Sequence, residues 1–296
     1  MKLDLVEPHY LWGQRHIEYI WSTWILRNGV AVPGSAFRLA DGATEMSETV
    51  GMMELIARTA APPLDPPGAP AEAPSDLPMF LRPFPPETVR ISDRAWLLHN
   101  VGFNEAVVSA GRETFVLDAT QGDARARQDR DLIAKLVPDA GPITVVVTDL
   151  AWPHIAGVRY WVSRGATIVG HAAARKFLQQ VVDRRWTLAP DALERARATR
   201  PVRLKFVAVD RPTGLAGGAL QIIPIDGIGS ETALMAYVKN DRFLWASDFV
   251  QTVKEPSLYA GEVIRAAARA GIEPERVAAE HLPLTAWAVV RSAQDR

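Results

Sequence analysis

Short apolar runs broken by turn residues dominate the chain, and their period separates strands from helices. Residues 16–25 and 35–39 are rich in aromatic and β-branched side chains and flank Asn28-Gly29, the pattern of a β-hairpin. Residues 47–59 follow a candidate cap, Ser47, with Val50, Met53, Leu55 and Ile56, which predicts a helix. Ala61-Pro62-Pro63-Leu64-Asp65-Pro66-Pro67 opens a Pro- and Ala-rich stretch over 61–78, an extended linker or surface strap. From residue 86 the pattern changes. Runs at 95–98, 106–109 and 114–119 predict three consecutive strands, and 129–136 a helix. An apolar strand at 143–147, a polar loop, a helical stretch and a second apolar strand at 166–171 then form an α/β unit. Its chemistry belongs at the carboxyl end of the first strand. Residues 172–200 predict a helical, Arg-rich stretch, 202–209 and 220–225 strands, and 260–270 a helix.

Three segments follow: an aromatic β/α extension over 1–60, the Pro-rich strap over 61–85, and a main domain over 86–296. Trp12, Tyr19, Trp21 and Trp24 in the extension suit a covered sheet face or a homo-oligomer interface better than a ligand platform. The seven basic residues Arg175, Lys176, Arg184, Arg185, Arg195, Arg197 and Arg200 are interleaved with Asp183, Asp191 and Glu194, so a solvated helix face is expected rather than phosphate binding.

Composition narrows the function. A net charge of −1 without a basic stripe gives no reason to expect nucleic acid or an anionic membrane as partner. The chain has no cysteine, which excludes thiolate metal sites and a cysteine nucleophile and leaves His, Asp and Glu as strong metal ligands. No apolar run approaches the ~20 residues of a membrane span, and Met-Lys-Leu-Asp-Leu-Val-Glu-Pro lacks the apolar core of a signal peptide. A soluble protein, cytoplasmic or periplasmic, is expected.

The loop after the 143–147 strand reads Thr148-Asp149-Leu150-Ala151-Trp152-Pro153-His154-Ile155-Ala156-Gly157. It resembles the Thr-His-x-His-x-Asp-His-x-x-Gly signature of the metallo-β-lactamase superfamily. Gly102-Phe103-Asn104-Glu105-Ala106-Val107-Val108, followed by Phe115-Val116-Leu117-Asp118, is similar to that fold's opening sheet. Phe243-Leu244-Trp245-Ala246-Ser247-Asp248 resembles the strand ending in the metal-bridging aspartate, and Val277-Ala278-Ala279-Glu280-His281 the last histidine. In order and spacing, the resemblance covers residues 86–290. It implies a four-layer αββα sandwich, mixed α/β, with the N-terminal β-strand and helix extension outside it.

The ligand set implied by the resemblance is incomplete. Three histidines of one metal correspond to Asp149, Ala151 and Gly229; the ligands of the other correspond to Pro153, His154, Asp248 and His281. The resemblance therefore implies a degenerate site holding at most one zinc, iron or manganese ion, or none. His154, Asp248 and His281 are the candidate metal ligands, and Asp149 and His154 the candidate catalytic groups. Glu280 is a candidate orienting partner, but strand alternation would turn it away from His281. Trp152-Pro153 suggests a reshaped apolar pocket floor. His9, His16, His99 and His171 are expected to be structural. Three functions stay open: a metal-dependent hydrolase of a small ester, lactone or amide, a metal-free pseudoenzyme that binds a small ligand or a protein, and a metal-free hydrolase with His154 as base.

Overall fold

The computed structural model describes residues 1–9, 13–52, 84–100 and 102–294; for 7–9 it describes the backbone alone. The chain divides into two compact units, Met1–Pro78 with Arg185–Ala189, and Met79–Arg184 with Pro190–Arg296.

In the first unit, β1 (Lys2–His9), β2 (Gly13–Arg27), β3 (Val30–Ala40) and β4 (Ala43–Thr49) form an antiparallel sheet in sequential order. The Asn28-Gly29 turn has φ of 48° and 80°, the paired positive values of a two-residue hairpin turn whose twist matches its strands. The helix expected over 47–59 does not begin at Ser47. Residues through Thr49 pair with β3 instead, Ser47 opposite Phe37, so cross-strand bonding overrides the weak cap signal. The rest of that helix, the strap over 61–78 and Trp12 lie outside the described residues. Tyr19 and Trp21 stack at 5.9 Å, while Trp24 is exposed.

The second unit is a sandwich. One sheet holds β5 (Glu87–Arg90), β6 (Ala95–Asn100), β7 (Phe103–Ala110), β8 (Glu113–Leu117), β9 (Ile143–Val146), β10 (Thr167–His171) and β11 (Lys205–Val209) in sequential order. The other holds β12 (Thr213–Leu215), β13 (Leu220–Pro224), β14 (Leu234–Val238), β15 (Phe243–Trp245), β16 (Arg276–Ala278) and β17 (Thr285–Ala286). Alternation assigns the faces. Ala106, Val108, Phe115, Leu117, Val146 and Val169 point inward and meet Leu220, Ile222, Leu234, Ala236 and Trp245 of the second sheet.

The intervening residues point outward to helices. Met235, Tyr237, Leu244 and Val277 pack with α6 (Leu258–Arg269) and α7 (Trp287–Gln294). On the outer side of the first sheet run α1 (Asp123–Leu136), α2 (Trp152–Ile155), α3 (Val158–Ser163), α4 (Arg175–Asp183) and α5 (Ala192–Arg197). The four layers are αββα. No helix among the described residues is long and apolar enough to cross a membrane.

The single helical stretch expected over 172–200 is instead two helices. α4 ends at Asp183, and Asp191 starts α5 by accepting a hydrogen bond from Glu194 N at 2.8 Å. Residues 185–189 between them join the first unit, where Gln14 Oε1 accepts from Thr187 N and Leu188 N. The arginines are not uniformly solvated: Arg197 donates to Val182 O at 2.7 Å and Arg200 to Ser163 O at 2.6 Å.

A buried polar cluster lies under α1. Arg125 Nε donates to both oxygens of Asp129 at 2.7 and 2.9 Å, and Glu105 Oε1 accepts from Thr120 N and Oγ1. Burial, then the charge of Asp129, lifts Glu105 well above its ordinary 4.5, against the opposing pull of Arg125 and Thr120. The folded chain therefore holds a proton that the unfolded chain has released. The resulting stability is fully present below about pH 4.5 and is lost as pH rises toward the folded value. Glu105→Gln is expected to flatten that loss and raise Tm at pH 8 by about 2–4 °C. Thermal melts from pH 5 to 8 check it; an unchanged slope would contradict the assignment.

Candidate functional site

Two parallel strand pairs, β8 with β9 and β15 with β16, end at the same rim of the sandwich. Asp118 follows β8, Thr148 and Asp149 follow β9, Ser247 and Asp248 follow β15, and Glu280 and His281 follow β16. Asp118 and Ser247 have φ of 68° and 55°, so both strands break sharply at the rim. Such backbones cost about 1–3 kcal/mol unless their surroundings enforce them. Here a buried network does so. Asp118 accepts from Thr148 N at 2.7 Å, Thr148 Oγ1 at 2.5 Å and Trp245 Nε1 at 2.7 Å, and Thr148 Oγ1 also lies 2.9 Å from Ser247 Oγ.

The loop after Thr148 closes locally. Asp149 Oδ1 accepts from Ala151 N at 2.6 Å, which turns the chain into the short α2 with Pro153 in its first turn. Gly157 ends the loop where Ala119 O accepts its N–H at 2.8 Å. A Cβ there would sit 3.1 Å from that same oxygen, so glycine permits the close approach.

His154, 2% exposed, points Nδ1 at Asp149, 3.0 and 2.9 Å from its oxygens, and against Glu280 Oε2. Ser247 Oγ donates to Asp149 Oδ2 at 3.2 Å. His281 Nδ1 donates to Gly102 O at 2.5 Å, which leaves Nε2 toward Asp248 Oδ1 at 3.3 Å. Phe103, His154 and His281 pack as a triangle of rings, with centres 5.9 Å (Phe103–His154), 5.0 Å (Phe103–His281) and 5.6 Å (His154–His281) apart.

The structure thus brings His154, Asp248 and His281 together, with Asp149 beside them. Glu280 is the residue that sequence reasoning turned away. The alternation argument fails because β16 ends at Ala278. Beyond it Ala279 and Leu282 exchange backbone hydrogen bonds, Glu280 N donates to Ser247 O, and Asn104 Nδ2 holds Ala279 O and Leu282 O. In that turn Glu280 and His281 both reach the cluster, and the adjacency Glu280-His281 was the only signal. Asp118, Thr148 and Ser247 were also missed as site residues. His99 meets Asn104, and His171 caps a short helical turn.

Electrostatically the site is crowded with acids. Burial, then Asp149 and Asp118, push Glu280 well above the ordinary carboxylate range. Burial, then Asp149, push Asp118 up to about 6, against its bonds from Thr148. Asp248 is raised by burial and Asp149. Burial opposes the charged form of His154, but Asp149, Asp248 and Asp118 outweigh it and raise its pKa.

This donor set fits a divalent cation. One ligand atom from each of His154, Asp248, Glu280 and His281 lies within 4.8 Å of the others. Glu280 is fully buried, and among the described residues its carboxylate meets the His154 imidazole and the Asp118 carboxylate rather than a hydroxyl, a backbone N–H or a Lys or Arg. A buried carboxylate beside other acids is costly unless a cation or proton meets it. Imidazole nitrogen with carboxylate oxygen suits zinc, manganese or iron.

A cleft of about 280 Å³ opens beside the cluster, with Asp149 and Asp248 in its wall. Ala151 and Gly229, which stand where the resemblance places histidines, line it too, with Phe249 and Tyr259. Trp152 and Pro153 do not line it, so the expected Trp-Pro pocket floor is absent; α2 sets both residues aside. Glu262 of α6 holds the far wall by accepting from Ile228 N at 2.8 Å.

No family model matches the sequence, and no curated protein sequence matches it. Solved structures do. The metallo-β-lactamase FIM-1 from Pseudomonas aeruginosa, in its mono-zinc form, superposes with a TM-score of 0.54 at 12% identity, covering 72% of this chain and 94% of that one. A metallo-β-lactamase from Pontibacter korlensis gives 0.54 at 12% identity, over 71% and 97%. The DIM-1 metallo-β-lactamase gives 0.53 at 13%, over 71% and 95%. The fold of this chain is the metallo-β-lactamase fold.

Proposed function

We propose that this chain, with its metallo-β-lactamase fold, is a hydrolase that works with one divalent metal ion on a small ester, lactone or amide. The observation that carries the reading is the fully buried Glu280 carboxylate, which reaches no Lys, Arg, hydroxyl or backbone N–H among the described residues, grouped with His154, Asp248 and His281 beside an open cleft. His154, Asp248, Glu280 and His281 would hold the ion. When bound, a zinc, manganese or iron ion there would polarise a substrate carbonyl and lower the pKa of a water to about 7.

The chain's own groups do the rest. Gly102 O fixes the tautomer of His281, so its Nε2 stays a lone-pair donor. Ala151 N and Ser247 Oγ hold the Asp149 carboxylate at the cleft wall, where it orients the attacking water or takes its proton. Ala151 and Gly229 offer no side-chain donor, which supports one ion rather than two, and their small size leaves the cleft open to substrate.

The test is a panel of aryl esters, lactones and anilides offered to the full chain before and after chelation. Hydrolysis should fall by at least about 100-fold on chelation and return with added zinc or manganese. Full activity in protein shown to be metal-free would overturn the proposal.

A further inference from the structure

The four acids Asp118, Asp149, Asp248 and Glu280 crowd one rim of the sandwich, and their partners are hydroxyls, backbone N–H groups, Trp245, Gln251 and the two histidines. Among the described residues none of the four pairs with Lys or Arg. The cleft beside them continues the pattern. The described residues lining it include Thr232, Gln251, Phe249 and Tyr259, and none is Lys or Arg. Phe249 and Tyr259 meet edge to face at 5.3 Å, and Ile228, 81% exposed, adjoins the lining residue Gly229. A divalent ion cancels at most two of the four carboxylate charges. A substrate carboxylate or phosphate would therefore enter a half-desolvated cleft that still holds negative charge and whose described lining has no Lys or Arg to receive it.

We propose that this cleft selects uncharged substrates with an apolar acyl group and discriminates against those carrying a carboxylate or phosphate. The inference rests on the hydrolase reading for turnover, but not for binding.

The experiment uses the metal-loaded full chain and two matched aryl esters, one of pentanoic acid and one of glutaric acid with its free carboxylate. The neutral ester is expected to show a kcat/KM at least about tenfold higher, and Thr232→Lys to narrow the ratio to within about threefold. Anilides of the same two acids, titrated by calorimetry into the full chain in chelator so that they are not turned over, should bind in the same order. Equal or better handling of the carboxylate compound in either readout overturns the proposal, as does failure of both anilides to bind. If no ester turns over while the anilides keep that order, the hydrolase reading fails and the charge selectivity stands.

Discussion

His281→Ala is expected to remove bound metal and hydrolysis together while leaving the fold intact. The side chain is 31% exposed and sits in a turn rather than in the core, so its loss opens no buried cavity. What it removes is an imidazole whose Nδ1–H is already committed to Gly102 O and whose Nε2 faces Asp248. Groups that merely orient a metal ligand are worth about 10- to 100-fold in affinity, so removing a ligand should cost at least about 100-fold. Metal content after equal dialysis should fall to about a tenth or less, and kcat/KM should fall at least about 100-fold. Tm in chelator should move by less than about 2 °C. Metal retained at the wild-type level, or activity unchanged, would remove His281 from the site.

Glu280→Gln is expected to have effects of opposite sign with and without metal. In metal-free protein the carboxylate is fully buried, touches His154 and is surrounded by Asp118, Asp149 and Asp248. A neutral amide of the same shape relieves that repulsion and should stabilise the chain by about 1–3 kcal/mol. Melts in chelator should therefore rise by several degrees, at roughly 2–4 °C per kcal/mol. In the presence of zinc the amide is a poorer ligand, and the stabilisation that zinc gives by mass action should shrink. A purely structural Glu280 would instead give a destabilised variant under both conditions.

The sandwich was legible because its signals are local. The apolar alternation of β7 and β8, the continuous run of β9 and the small residue at Gly157 each follow from neighbouring positions. The candidate site was legible where the family resemblance places its residues, at Asp149, Asp248 and His281 beyond strand ends and at His154 within α2. Alternation turns Glu280 away only if it is extended beyond Ala278, where a hydrogen bond from Glu280 N to Ser247 O and those from Asn104 Nδ2 set the backbone instead. Those partners are remote in sequence, as are Thr148 and Trp245 from Asp118, and no period or spacing encodes them. The helix expected at 47–59 failed for the related reason that pairing with β3 decides the fate of Ser47. Pro153 and Trp152 promised a pocket floor by type alone; their place in α2 gives that role to Ala151, Gly229 and the Phe249–Tyr259 pair.

The most direct measurement is the zinc stoichiometry of the purified full chain, by elemental analysis after dialysis against zinc and then against metal-free buffer. The buried donor set predicts about one ion per chain, removed by chelator and absent from His281→Ala. No retained ion with zinc, manganese or iron would contradict the account, and about two per chain would contradict the single-ion site that Ala151 and Gly229 imply.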